Sequence, residues 1–158
     1  MVAQPFSLHG PVPMVKRKPS PGEAQAVPTS VAIGADGDVY IGFLGGFPFE
    51  AQTTRIERYS ADGELKEAYT GLTLVTDIAI SADGTLYAVE MASGFGDTGF
   101  NPNSGRIVMV SADGVTPVAE GLNIPYGMVI DGEGNFWVTV NSAFAGPDSG
   151  QIVRIPGM

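Results

Sequence analysis

Two carboxylates, Asp77 and Glu90, and the side-chain amide of Asn141 are the groups best placed for chemistry in this sequence. Ser30, Asp77 and Gly127 take one equivalent position in a recurring pattern, and Phe43, Glu90 and Asn141 take another. Asp77, Glu90, Asn141 and Ser30 would therefore present oxygens from successive repeats towards one axis, as a ligand-binding set. A hard cation needs several oxygens at once. Asp77 and Glu90 are accordingly the candidate metal ligands, and Ca²⁺ or another divalent cation is the cofactor they would take. The competing reading has Asp77 bonding backbone amides at a strand start and Glu90 solvated. A second candidate is aromatic: Phe47, Phe49, Phe95, Phe100 and Phe144 sit in long Gly-rich stretches, where binding contacts usually reside. Their alternative role is packing between neighbouring sheets. No catalytic set is complete. His9 is the only histidine, so a Ser-His-Asp triad has little support. Asp36-Gly37-Asp38 lacks the twelfth-position Glu of a calcium loop, and no phosphate-binding glycine motif follows a strand.

The elements that must position these residues are hairpins. Residues 76–90 contain two short apolar runs around Asp83-Gly84, which reads as two strands joined by a turn. The unit recurs at residues 29–43 and 126–141, and the turn glycine falls at Gly37, Gly84 and Gly134, spacings of 47 and 50. A second hairpin follows in each of the first two units, around Asp62-Gly63 and Asp113-Gly114. Four strands repeating at about 40–50 residues predict blades of a β-propeller. The blades are expected at about 28–72, 73–122 and 123–158, the last ending after its third strand. The second-strand cores (Val39-Tyr40-Ile41, Leu86 to Val89, Phe136-Trp137-Val138) are apolar on both faces, as in sheets covered on both sides. Trp137, in register with Tyr40 and Tyr87, is expected in the core.

Composition agrees with an all-β protein rich in turns: 44% hydrophobic residues, 22 glycines and 12 prolines in 158 residues. There is no cysteine, hence no disulfide framework. No run approaches the ~18 apolar residues of a membrane span. The first residues lack the charged and apolar regions of a signal peptide, which points to a cytoplasmic chain or a mature or truncated one. Net charge is −9, and from residue 19 onward five basic residues face seventeen acidic ones. Such a body repels phosphate backbones, so nucleic acid is not an expected partner. Lys16, Arg17 and Lys18 form a basic cluster, read either as a dock for an anionic surface or as a solvated loop. Loops 91–104 and 142–150, dominated by Gly, Asn, Asp and Ser, are expected to be mobile.

Three blades cannot close a ring, because closed propellers have about four to eight. A homodimer of six blades is therefore expected, with blade 1 of each copy against blade 3 of the other. Residues 1–27 are Pro-rich, and Phe6 to His9 or Val12 to Val15 could supply the fourth strand of the partner's last blade.

Ala26 to Ala32, Gly45-Gly46-Phe47-Pro48-Phe49 and Thr76 to Ala79 resemble the second half of ScyD/ScyE-family proteins. The resemblance implies half of an NHL-repeat-like six-bladed propeller, an exported location, and a non-catalytic binding or scaffold role for a protein or small-molecule ligand. Phe43 stands where that family usually has Glu. The related gluconolactonase-like propellers hold a divalent metal with Glu, Asn and Asp. Asp77 sits where one of those ligands falls, while Ser30 and Gly127 replace others. A metal-dependent hydrolase or lactonase is thus the alternative function.

Overall fold

A computed structural model describes residues 26–157, and every described element is a β-strand. Blade 1 is β1 (Pro28–Ile33), β2 (Val39–Phe43), β3 (Thr54–Tyr59) and β4 (Leu65–Leu72), hydrogen-bonded in that order. Blade 2 begins with β5 (Val75–Ile80) and β6 (Leu86–Glu90). A small hairpin follows, β7 (Phe95–Gly96) and β8 (Gly99–Phe100), before β9 (Gly105–Ser111) and β10 (Gly114–Leu122) complete the sheet. Blade 3 has three strands, β11 (Met128–Ile130), β12 (Phe136–Val140) and β13 (Gln151–Ile155). All pairs are antiparallel, so this is an all-β propeller architecture of meandering blades.

The first hairpin of each blade is built identically. Gly34, Ser81 and Asp131 each donate their amide across the turn to Asp38, Thr85 and Asn135. Gly37, Gly84 and Gly134 close those turns at φ 85°, 89° and 83°. A side chain there would be strained against its own backbone, which is why the three turns share glycine.

Each blade has two faces, and they differ. One face of blade 1, carrying Ala32, Tyr40 and Ile56, packs on the Ile78, Leu86, Ala88 and Val108 face of blade 2. The other face of blade 2, carrying Ala79, Tyr87, Val89 and Ile107, packs on Met128, Phe136 and Val138 of blade 3. We call these the forward and backward faces. Gly42 lets blade 1 come close, since a Cβ there would meet Ile78 Cγ2 at 3.1 Å and Val75 Cγ1 at 3.2 Å. Two junctions thus bury forward on backward. Among the described residues two faces have no neighbour: the backward face of blade 1, where Val31 and Ile33 are 65% and 70% exposed, and the forward face of blade 3.

Trp137 departs from expectation for that reason. It does share its position with Tyr40 and Tyr87, and Tyr87 stacks edge-on against Phe136 of the next blade. The forward face of blade 3 meets no next blade, so Trp137 is 40% exposed. The expectations for Phe6 to His9, Val12 to Val15 and Lys16 to Lys18 fall outside the described residues.

Candidate functional site

The polar residues near the axis are tied to one another. Ser30 on β1 donates its hydroxyl to Asp77 Oδ1 on β5 at 2.5 Å and accepts the Ile78 amide at 3.2 Å. Asp77 Oδ1 also accepts the Ile78 amide at 2.9 Å, and its Oδ2 accepts the Met128 amide of β11 at 2.7 Å. One carboxylate therefore links all three blades. The preceding threonines add a second tier: Thr29 donates to the Val75 carbonyl and Thr76 to the Tyr126 carbonyl. Gly127 has no side chain to continue the series.

Glu90 is not solvated. It is 1% exposed, and its oxygens accept the Thr73 amide at 2.6 Å and the Nε of Arg106 on β9. Asn141 lies one position further along than Glu90. Thr139 bonds Gly127 where Gly42 pairs with Ser30 and Val89 with Asp77, so the counterpart of Glu90 is Val140. The Asn141 side chain accepts from Asn123 Nδ2 at 2.8 Å and donates to the Ser149 carbonyl at 2.9 Å, which pins loop 142–150. These donors do not fit a divalent cation. Both Asp77 oxygens already accept N–H or O–H groups, and Glu90 is held by a guanidinium. Among the described residues, no three His, Cys, Asp or Glu side chains converge for a metal.

The aromatic candidates do converge. The second-to-third-strand loops of all three blades emerge at one end, and their phenylalanines form one continuous cluster. Phe47 and Phe49 of blade 1 meet Phe95 of blade 2 at centroid distances of 6.4 and 5.4 Å. Phe95 meets Phe100 at 4.9 Å, and Phe100 meets Phe144 of blade 3 at 5.6 Å. These separations and their mostly edge-to-face tilts are those of favourable aromatic pairs. Phe49 and Phe100 root the cluster on buried Leu74, Met91, Ala92 and Ile124. Phe47 and Phe144 stand 74% and 85% exposed. Beside them lies a cleft of about 290 Å³, walled by Phe95, Thr98, Phe100, Pro102, Ile124 and Phe144.

The loops that carry the cluster are built rather than loose. Residues 91–104 hold the β7–β8 hairpin, and Ser93, Asn101 and Ser104 bond one another at 2.7–3.0 Å. The small polar residues of this loop act here as hydrogen-bond partners. Eight described residues other than glycine have positive φ: Phe49, Gln52, Leu74, Asn103, Ile124, Asn141, Phe144 and Asp148. All eight lie in connections at this one end. Such conformations cost free energy, about 1–3 kcal/mol each, and they gather at ligand-binding and switch segments. Ile124 and Asn123 were not singled out by the sequence. The only signal was that residues 73–74 and 123–124 are equivalent blade linkers.

The opposite end carries a buried carboxylate with its ion pairs. Asp38, 3% exposed, accepts Lys66 Nζ at 2.8 Å and Arg58 Nε at 2.7 Å. Those bonds, the one from Lys66 foremost, hold its carboxyl below the usual range.

No family model matches this chain, and no curated protein matches it. Among solved structures, it is similar to selenomethionine-substituted virginiamycin B lyase from Staphylococcus aureus, with 18% identity and a TM-score of 0.49. That similarity covers 83% of this chain and 41% of the lyase. It is also similar to a gluconolactonase-like protein, with 17% identity, a TM-score of 0.48, and coverage of 83% and 48%. The chain spans less than half the length of either protein.

Proposed function

We propose that this chain is a non-catalytic binding propeller of the ScyD/ScyE type, with the phenylalanine crest as its ligand face. The observation that carries this reading is the meeting of five rings from three separate loops at one exposed end. Rings that only packed blades together would be buried, whereas Phe47 and Phe144 spend their area on solvent. Exposed contiguous apolar patches of this kind mark interaction surfaces. The tied loops beneath them keep the face pre-formed, which lowers the ordering cost of binding. The test is a titration with toluene, an apolar ring probe, followed by amide NMR. Shifts confined to residues 47–49, 95–102 and 144 support the reading. Shifts absent there, or spread evenly over the blades, overturn it.

The same reading includes a second copy of the chain. The two uncovered faces are of opposite type, a backward face on blade 1 and a forward face on blade 3. Both internal junctions already pair forward with backward, so Val129, Trp137 and Ile152 would pack on Val31 and Ile33 of another copy. Two such contacts related by a twofold axis give a six-bladed ring. Light scattering is expected to give twice the 16.4 kDa chain mass. A stable monomer at micromolar concentration overturns the assembly and leaves the crest untouched.

A further inference from the structure

We propose that the ligand of the crest is a small quaternary ammonium cation, an inference that rests on the crest being a binding face. The first ground is its charge. The loops that build it, residues 44–53, 91–104 and 141–150, contain Glu50, Asp97 and Asp148 and no Lys, Arg or His. All three carboxylates are exposed. A face with this charge on a chain of net charge −9 concentrates cations and repels anions.

The second ground is where the protein's own cations go. Each of the five basic residues in the described region is ion-paired with a carboxylate outside the crest loops. Arg58 and Lys66 hold Asp38, and Arg154 faces Glu133. Arg55 and Arg106 stand near the start of the strands that leave the crest loops, yet each pairs with a strand carboxylate and not with one of the crest. Arg55 pairs with Glu57 and lies over the Phe43 ring, 4.7 Å from its centroid, and Arg106 pairs with buried Glu90. Among the described residues, arginines cap Phe43 and Tyr40 and none caps a crest ring. A ring face is electron-rich and attracts a cation held within about 6 Å of its centroid. Phe95, Phe100 and Phe144 line the cleft together, their rings in mutual contact at centroid spacings of 4.9 and 5.6 Å, so one cation in the cleft lies beside all three.

The third ground is what the cleft lacks. Asn123 borders it, but its Oδ1 accepts the Asn103 amide and its Nδ2 bonds Asn141. With that amide occupied, the Thr98 hydroxyl, the rings and the surrounding field remain for recognition, and one hydroxyl cannot match the three N–H donors of a primary ammonium. A primary amine would leave N–H donors unmatched, at a cost in affinity. A trimethylammonium group has no N–H to satisfy. The volume, about 290 Å³, suits a small molecule and not a folded segment.

The test compares choline with its neutral isostere 3,3-dimethylbutan-1-ol, both followed by amide NMR on the full chain. Choline is expected to shift residues 95–102 and 144 and to bind about tenfold more tightly than the alcohol. Phe144→Leu keeps an apolar side chain but removes a ring face. It should weaken choline about fivefold while the alcohol changes less than about twofold. Asp97→Asn with Asp148→Asn should weaken choline alone, and so should added salt. Equal binding of the two probes at the crest overturns the cation and leaves the binding face standing. So does a crest that takes toluene but not choline. Choline binding that ignores Phe144→Leu also overturns the proposal. A crest that takes neither choline nor toluene overturns both readings.

Discussion

The Asp77 carboxylate on blade 2 accepts the Met128 amide of blade 3 at 2.7 Å, across the junction between two blades. The same group takes the Ser30 hydroxyl of blade 1. It is therefore a joint in the stack. Asp77→Ala leaves the Met128 amide without this partner and should cost about 1–3 kcal/mol in urea unfolding. The loss should be the same with Ca²⁺ or with EDTA. A loss seen only with Ca²⁺ would restore the metal reading.

Arg106 neutralises a carboxylate that is almost wholly out of water. Arg106→Met strands Glu90 and should cost about 3–5 kcal/mol. Glu90→Gln added to that change removes the buried charge and should recover part of the loss. Chemical denaturation of the two variants checks the order. A double variant less stable than Arg106→Met would contradict it.

Stability should fall in alkali. Burial, and after it the bonds to Glu57 and Glu67, push the hydroxyls of Tyr59 and Tyr69 up to about 12. The folded state therefore keeps two protons that the unfolded chain releases near pH 10. Their contribution is complete below pH 10 and is lost as pH rises through about 12. Melting temperatures at pH 9 and pH 11 should differ more for the native chain than for Tyr59→Phe with Tyr69→Phe.

Gly105 is a close-packing position. A Cβ there would meet Pro125 Cδ at 2.3 Å and the Met91 carbonyl oxygen at 2.6 Å. Gly105→Ala should cost about 1–3 kcal/mol by overpacking. Because Met91 opens the loop that carries Phe95 and Phe100, the same change should speed amide exchange across residues 91–104. Unchanged exchange there would separate this contact from the crest.

The blades were legible because their signal is local. The Gly37, Gly84 and Gly134 turns and the paired apolar runs each sit within about fifteen residues. The residue types at the crest were legible too, as phenylalanines in long loops. Their meeting was not, since Phe47 and Phe144 are joined only through two rings of a third loop. Glu90 shows the limit most clearly. Its position after a strand suggested an open carboxylate, but its environment depends on Arg106, a residue on the adjacent strand. Asn141 was misaligned with it by one residue, and in a strand one residue reverses the face.

The unlike faces at the two ends of the chain have a kinetic meaning as well. A unit with one face of each type behaves as a bifunctional monomer, whose contacts either cyclise or propagate head to tail. Once one contact has formed, ring closure is intramolecular and independent of concentration, while addition of a third unit is second order. On the proposed assembly, dilute protein should favour the closed pair and crowded protein linear strings of the same contact. Trp137, the only tryptophan, lies on one of the proposed joining faces and would report both through its fluorescence.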